Sequence, residues 1–328
     1  MEERLQNILR AAYAYQVTDI HFSIIGDDPP VCEIEMRIKD TIRKLRKKPE
    51  DVRLFHYLMY RSNLDISNAL QPQTGSFEET VDGRRFSLRF ALVSGYHRVS
   101  GVLRILNHQE DLKIASLSSD EEAVNWMKHI TDGRYGFYVF SGPTGSGKTT
   151  SLYTILNEVR GKKIYTLEDP VEVVSESYVQ LQINEKASFS YAEGIRQLMR
   201  HDPDIVMIGE IRDSTAAKMA VRCALTGHLV VTSLHSSSCS SAILRLIELG
   251  VDRFQLRDVL KGISCQRLYD TPDGRKTGVY EIMDEKEVKY YFENRCHSES
   301  FRTLEEKIAQ AAAEGIIDLS EAKKDLAG

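Results

Sequence analysis

The 328-residue sequence lacks any run of about 18 apolar residues, the length that a membrane-spanning helix requires. This absence excludes a transmembrane helix, so that any association with a membrane would use a surface or a partner. The N-terminal segment MEERLQNILR also lacks the apolar core of a signal peptide. Both absences indicate a cytoplasmic protein.

Cysteine is scarce, and no two of the five cysteines form a C-x-x-C pair. A tetracysteine zinc site is therefore unsupported, and we expect no zinc. Their odd number and wide spacing favour free thiols in a reducing compartment. An excess of positive charge is missing as well, since the formal net charge is -5. Proteins that work on nucleic acid usually carry a basic domain, so no direct contact with nucleic acid is expected.

The apolar material that is present suffices for real cores, because 42% of the residues are hydrophobic and 28% are charged. The length suggests about two domains. Residues 1–106 show the pattern of a smaller α+β domain. An amphipathic helix is predicted over 2–15 and a second helix over 50–60. Asp82-Gly83 lies between GSFEETV and RRFSLRFALV, which is typical of a hairpin turn.

The pattern changes after a polar segment at 107–121, which we interpret as a linker. Short, nearly continuous apolar runs then alternate with helical segments. This alternation favours an α/β domain over 122–268, with a buried and mainly parallel sheet. The last part, 269–328, is expected to be a C-terminal helical region. The apolar runs are YGFYVF (135–140), KIYTL (163–167), DIVMIG (204–209) and LVVTSL (229–234).

A phosphate-binding motif follows the first apolar run. GPTGSGKT fits G-x-x-x-x-G-K-[ST] and stands between a predicted strand and a predicted helix, as this motif requires. Its glycines let backbone N–H groups wrap a phosphate, and the helix presents its positive end. We expect Lys148 to reach the β- and γ-phosphates of ATP and Thr149 to bind Mg²⁺. The predicted nucleotide-binding residues are Gly142, Pro143, Thr144, Gly145, Ser146, Gly147, Lys148, Thr149 and Thr150.

Acidic residues and a histidine stand at the ends of the other three apolar runs. Glu210 follows a strand in DPDIVMIGEIRD, where a carboxylate belongs near the metal or the attacking water. We therefore assign Mg²⁺ to Thr149 and Glu210. TLEDPVE contains Glu168, but taken alone this motif is better explained as a plain acidic turn. His235 in TGHLVVTSLHS is weak evidence alone, because a histidine beside a core strand is usually structural.

In this order and at these separations, the four motifs resemble those of the secretion ATPases of type II secretion and type IV pili. GPTGSGKTTSLY resembles the family's Walker A element, TLEDPVE its Asp box, LMRHDPDIVMIGEIRD its Walker B element and ALTGHLVVTSLHS its His box. The match is dense from Tyr135 to Leu268 and thinner upstream. The short length, the absent zinc insertion and YHRVSGVLRIL make the chain most similar to the competence ATPases of Gram-positive DNA-uptake machinery.

The resemblance implies a role for each matching residue. Glu210 would polarise the attacking water, Glu168 would assist it, and His235 would sense the state of the γ-phosphate. Arg89 and Arg104 fall where the family keeps arginines of the N-terminal domain that reach the nucleotide. There they would neutralise charge on the transferring phosphoryl group.

The resemblance also implies a fold and an assembly. We expect a RecA-like P-loop ATPase domain, a smaller PAS-like N-terminal domain and a C-terminal helical tail. The implied assembly is a homohexameric ring, with ATP between domains or subunits. Its implied partner is an inner-membrane platform protein, through which the ring would associate with the cell membrane and drive assembly of a competence pilus.

Three alternatives stay open from the sequence. Two are motors of the same superfamily, one for pilus retraction and one for DNA translocation. The third is a nucleotide-dependent switch with little hydrolysis. Thr215 stands where the family has a glutamate, which keeps this third alternative open.

Overall fold

The computed structural model describes residues 1–15, 17–26, 29–38, 41–68, 71–106, 112–184 and 188–326. Two compact units make up the chain: Met1–Glu110 with Glu172–Val174, and Asp111–Val171 with Ser175–Gly328. The first part of the predicted linker, 107–111, lies outside the described residues; the remainder contains a 3₁₀ turn at Ile114–Ser116. In the described part of the chain, no helix has the length and apolar character to cross a membrane.

The first unit is built on a six-stranded antiparallel sheet in the order β3-β2-β1-β6-β5-β4. The amphipathic helix predicted at the N-terminus forms, and its four buried residues pack one face of the helix against the core. The predicted hairpin also forms, and Asp82 and Gly83 take φ angles of 52° and 78°, which suit the mirror-image turns of hairpins. The elements are α1 Glu2–Ala14, β1 Asp19–Ile25, β2 Val31–Ile38, β3 Thr41–Lys44, α2 Asp51–Arg61, β4 Gln73–Val81, β5 Arg84–Gly95 and β6 Arg98–Ile105.

The second unit is built on a seven-stranded sheet in the order β13-β12-β7-β11-β10-β8-β9. β13 is antiparallel to β12, and the other neighbours pair in parallel. Every residue of β10 and β11 is buried, because helices cover both faces of the sheet. The strands and helices up to β11 are α3 Glu121–His129, β7 Gly136–Ser141, α4 Lys148–Glu158, β8 Ile164–Glu168, β9 Val179–Gln182, α5 Tyr191–Leu198, β10 Ile205–Ile208, α6 Ser214–Leu225 and β11 Leu229–Leu234.

The structure corrects the boundary expected for the C-terminal helical region. The range 269–328 begins with the end of β12 and the whole of β13, and its helices start only at Glu285. These two strands form a hairpin whose turn contains Gly274 at a φ of 80°. The remaining elements are α7 Cys239–Glu248, α8 Arg253–Val259, β12 Leu260–Asp270, β13 Lys276–Met283, α9 Glu285–Asn294, α10 Leu304–Ala313 and α11 Leu319–Leu326.

A buried carboxylate connects this C-terminal region to the sheet. Glu281 on β13 is 3% exposed and accepts hydrogen bonds from the backbone N–H groups of Cys239, at 2.6 Å, and Leu304, at 2.8 Å. These two residues begin α7 and α10. The single Glu281 side chain therefore accepts one backbone N–H group at the N-terminus of each helix, where negative charge is favoured. Burial, and then the charge of Glu281, raise the pKa of the Cys239 thiol.

We expect Glu281→Gln to lower the free energy of unfolding by roughly 1.5–3 kcal/mol, the range for hydrogen bonds to a charged group. The amide cannot accept with both of its ends, so one helix start loses its partner. Urea denaturation followed by circular dichroism measures the change. The exposed Glu305 of α10 supplies the control, since Glu305→Gln is expected to change stability by less than about 0.5 kcal/mol. Equal midpoints for both variants would contradict the double-capping role.

Candidate functional site

Four neighbouring parallel strands bring the predicted motifs to one edge of the second unit's sheet. β7 ends immediately before the glycine-rich loop, and β8 ends at Glu168. Glu210 comes two positions after the end of β10, and His235 directly follows β11. Because parallel strands end at the same edge, these groups lie on neighbouring strand ends in the order β7-β11-β10-β8.

The loop between β7 and α4, called the phosphate loop below, takes its shape from glycine. Gly142, Gly145 and Gly147 have φ angles of 142°, 80° and 86°, which L side chains rarely adopt. A Cβ atom at Gly142 would lie 2.6 Å from both Ser146 Oγ and the backbone oxygen of Gln266. The loop therefore needs glycine there, and its bare backbone suits close approach of a phosphate.

Lys148 begins α4 and is only 7% exposed. Its Nζ donates to the carbonyl oxygens of Gly142, at 2.9 Å, and Pro143, at 2.8 Å, which hold the ammonium group inside the loop. Burial lowers the pKa of Lys148, and the charge of Glu210 acts in the opposite direction. Ser146 Oγ is buried without a hydrogen-bond partner among the described atoms. These groups fit the phosphate chain of a nucleotide, with the half-buried Thr149 next to Lys148 on the same helix.

Glu210 lies in a group of opposite charges at the ends of β8, β10 and β11. Arg212 Nε donates to Glu210 Oε1, and Arg212 Nη1 lies 3.3 Å from Asp169 Oδ2. His235 Nε2 lies 3.9 Å from Glu210 Oε2. The hydrogen bond to Glu210 raises the pKa of Arg212. Sequence reasoning gave Arg212 no role, although a positive charge two residues after Glu210 was the available signal.

Glu168 is 3% exposed, and both of its carboxylate oxygens accept hydrogen bonds. Thr166 Oγ1 and Gln180 Nε2 donate to Oε1, the latter at 3.1 Å, and the Tyr153 hydroxyl donates to Oε2. The residue that taken alone fitted an acidic turn is thus a buried and hydrogen-bonded side chain. Its position at the end of β8 places it on the same sheet edge as Glu210.

Gln266 on β12 supports the phosphate loop, and sequence reasoning missed it. Its Nε2 donates to the Ser146 backbone oxygen at 2.7 Å and to Ser151 Oγ at 3.3 Å. Ser151 Oγ is in turn 2.9 Å from the Tyr280 hydroxyl. No signal was available in the sequence, because a polar residue in an unpredicted strand resembles a surface position.

We expect Gln266→Leu to weaken nucleotide binding about tenfold, the equivalent of one hydrogen bond of roughly 1.4 kcal/mol. The leucine keeps the volume but releases the loop backbone at Ser146. Titration with a fluorescent ATP analogue measures the Kd, with Gln310→Leu on the exposed face of α10 as the control. An unchanged Kd in a folded Gln266→Leu protein would show that the loop keeps its shape without this bond.

Arg89 and Arg104 belong to the first unit, where they are directly opposite each other on β5 and β6. Arg104 Nε donates to Asp19 Oδ1 at 2.7 Å. The two arginines thus share one face of that sheet, with Asp19 orienting one of them. Their role at the nucleotide stays a prediction.

Comparison with known proteins gives a match over nearly the whole chain. The family model described as "Type II/IV secretion system protein" matches residues 1–321. "Competence protein ComGA" of Bacillus subtilis strain 168 is 36% identical over 279 residues, which cover 82% of this chain and 76% of that protein. "Type II secretion system protein E" of Pseudomonas aeruginosa is 34% identical over 267 residues, 80% of this chain but only 52% of that longer protein.

Among solved structures, the Legionella pneumophila ATPase DotB superposes with a TM-score of 0.79 at 20% sequence identity. The superposition covers 100% of this chain and 96% of that one. This likeness confirms the predicted fold class: a RecA-like P-loop domain, a smaller α+β domain and a C-terminal helical tail.

Proposed function

The chain belongs to the type II/IV secretion system protein family and is a P-loop ATPase of the secretion-motor type, and we propose that it powers assembly of a competence type IV pilus or pseudopilus. The convergence of the phosphate loop, Glu168 and Glu210 on one sheet edge carries the catalytic part of the proposal. The similarity to ComGA over most of both chains supports the competence role.

Each residue of the site has a proposed task. Lys148 and the loop N–H groups would bind the β- and γ-phosphates, and Thr149 and Glu210 would hold Mg²⁺. When bound, Mg²⁺ neutralises charge on the phosphate oxygens. Glu210, assisted by Glu168, would orient the attacking water and accept its proton.

We further propose the assembly that the family resemblance implies. The chain would act as a homohexameric ring, recruited to the inner face of the membrane by a pilus platform protein, with no direct nucleic-acid partner. Arg89 and Arg104 would neutralise charge at the nucleotide. A motor that instead moved DNA would show DNA-stimulated turnover that falls steeply with salt.

We expect Glu210→Gln to lower kcat for ATP by about 10²–10⁴-fold, the range for a positioned general base, while nucleotide binding persists. Lys148→Ala is expected to abolish both binding and turnover, because the buried ammonium group is lost. Steady-state phosphate release with Mg²⁺ and then with EDTA measures the turnover and its metal dependence.

Glu305→Gln, on the exposed face of α10, is the matched control and should keep wild-type turnover. Tight ATP binding by a wild-type protein that does not hydrolyse, even when assembled and mixed with membranes, would contradict the proposal. That outcome would support the nucleotide switch instead.

The arginines have a separate test. Arg104→Ala is expected to lower kcat by about 10-fold or more. The loss should be smaller than the roughly 10³–10⁵-fold contribution of a dedicated arginine finger, because Arg89 remains. Arg98→Ala, exposed on the same strand, is the control. If the arginines act across subunits, mixing Arg104→Ala chains with Lys148→Ala chains restores part of the activity. If unmixed Arg104→Ala protein hydrolyses ATP at the wild-type rate, Arg104 has no role at the nucleotide.

A further inference from the structure

The hydrogen bond between Tyr153 and Glu168 connects two parts of the site that the sequence treats as separate. Tyr153 lies on α4, five residues and about one and a half turns after Lys148. Glu168 is the last residue of β8. The Tyr153 hydroxyl donates to Glu168 Oε2, so a side chain from the helix that follows the phosphate loop contacts the Asp-box carboxylate.

The Tyr153 ring is fixed by packing. It is 5% exposed, and it stacks on Tyr178 with ring centroids 6.3 Å apart and an angle of 25° between the planes. Its buried hydroxyl donates to Glu168 Oε2, so that the tyrosine is the donor and the glutamate is the acceptor.

The two oxygens of Glu168 are held from different elements. Thr166 on β8 and Gln180 on β9 donate to Oε1, so the sheet holds that side. Tyr153 donates to Oε2 from α4, the helix whose first residue is Lys148. A shift of α4 relative to the sheet would therefore move the donor to Oε2 and leave the donors to Oε1 in place.

We propose that Tyr153 is a positioning residue, which sets the orientation of the Glu168 carboxylate according to the position of the phosphate-binding helix. The inference rests on the proposed function, because it requires that Glu168 takes part in ATP hydrolysis. Tyr153 itself does not touch the nucleotide in this role; it acts through Glu168.

Tyr153→Phe is the direct test, since it keeps the stacked ring and removes only the hydroxyl. We expect kcat for ATP to fall about tenfold or more, a fraction of the 10²–10⁴ that a general base contributes. KM and the Kd of ATP should stay within about threefold, because the phosphate loop is untouched. Tyr178→Phe removes a buried hydroxyl from the other ring of the same stack and should leave kcat within about twofold.

A double-mutant cycle separates positioning from mere packing. If Tyr153 acts through Glu168, then Tyr153→Phe lowers kcat in the wild type but causes no further loss in Glu168→Gln. An equal loss in both backgrounds, or a loss that follows a lowered melting temperature, would overturn the inference. If the wild-type protein hydrolyses ATP and the Tyr153→Phe variant is equally active, the inference is overturned. The proposed function would then remain intact. Absence of turnover in the wild type would instead remove the proposed function.

Discussion

Parallel pairing of β7, β11, β10 and β8 is the constraint on which the site depends. Helices cover both faces of this sheet, so its central strands consist of buried residues with little chemistry of their own. The reactive side chains must then lie at the strand ends or just after them, and parallel strands end on one edge. Residues that are distant in the sequence, such as Lys148 and Glu210, meet there because of the sheet and not because of any local motif.

Side-chain hydrogen bonds and ion pairs near this edge orient the site residues that the strands bring together. Gln266 holds the backbone of the phosphate loop, and Arg212 connects Glu210 to Asp169. Tyr153 connects α4 to Glu168. Among these, the bonds of Gln266 and Tyr153 are buried, while Arg212 is an exposed side chain. Donors and acceptors that are already oriented before a substrate binds are the basis of electrostatic catalysis.

Much of this edge could be predicted from the sequence, because the strands that form it are short apolar runs bounded by recognisable motifs. LVVTSL corresponds residue for residue to β11. β12 could not be predicted in the same way, since Ser264 and Gln266 are polar residues buried to 0% and 1% exposure within it. Their hydrogen-bond partners lie on β7, in the phosphate loop and on α4, none of which is near in sequence.

Side-chain contacts between different helices and strands could not be predicted from the sequence either. TLEDPVE identified Glu168 as a candidate site residue but not its hydrogen-bond partners, because the donors Tyr153 and Gln180 come from α4 and β9. The cross-strand pairing of Arg89 and Arg104 depends on the register between β5 and β6. Apolar periodicity predicts which face of the sheet a residue occupies, but it does not predict which residue lies opposite it. Sequence patterns therefore located the ends of the strands, and the partners at those ends required the tertiary fold.

The decisive measurement is the Mg²⁺-dependent ATP turnover of the wild-type chain across protein concentration, with sizing of the same samples. Turnover per chain should rise as the chain assembles, because the proposed site is completed only in the ring. Turnover per chain that is the same for monomer and assembly would contradict the assembled motor. Nucleotide binding without turnover at any concentration would contradict hydrolysis itself.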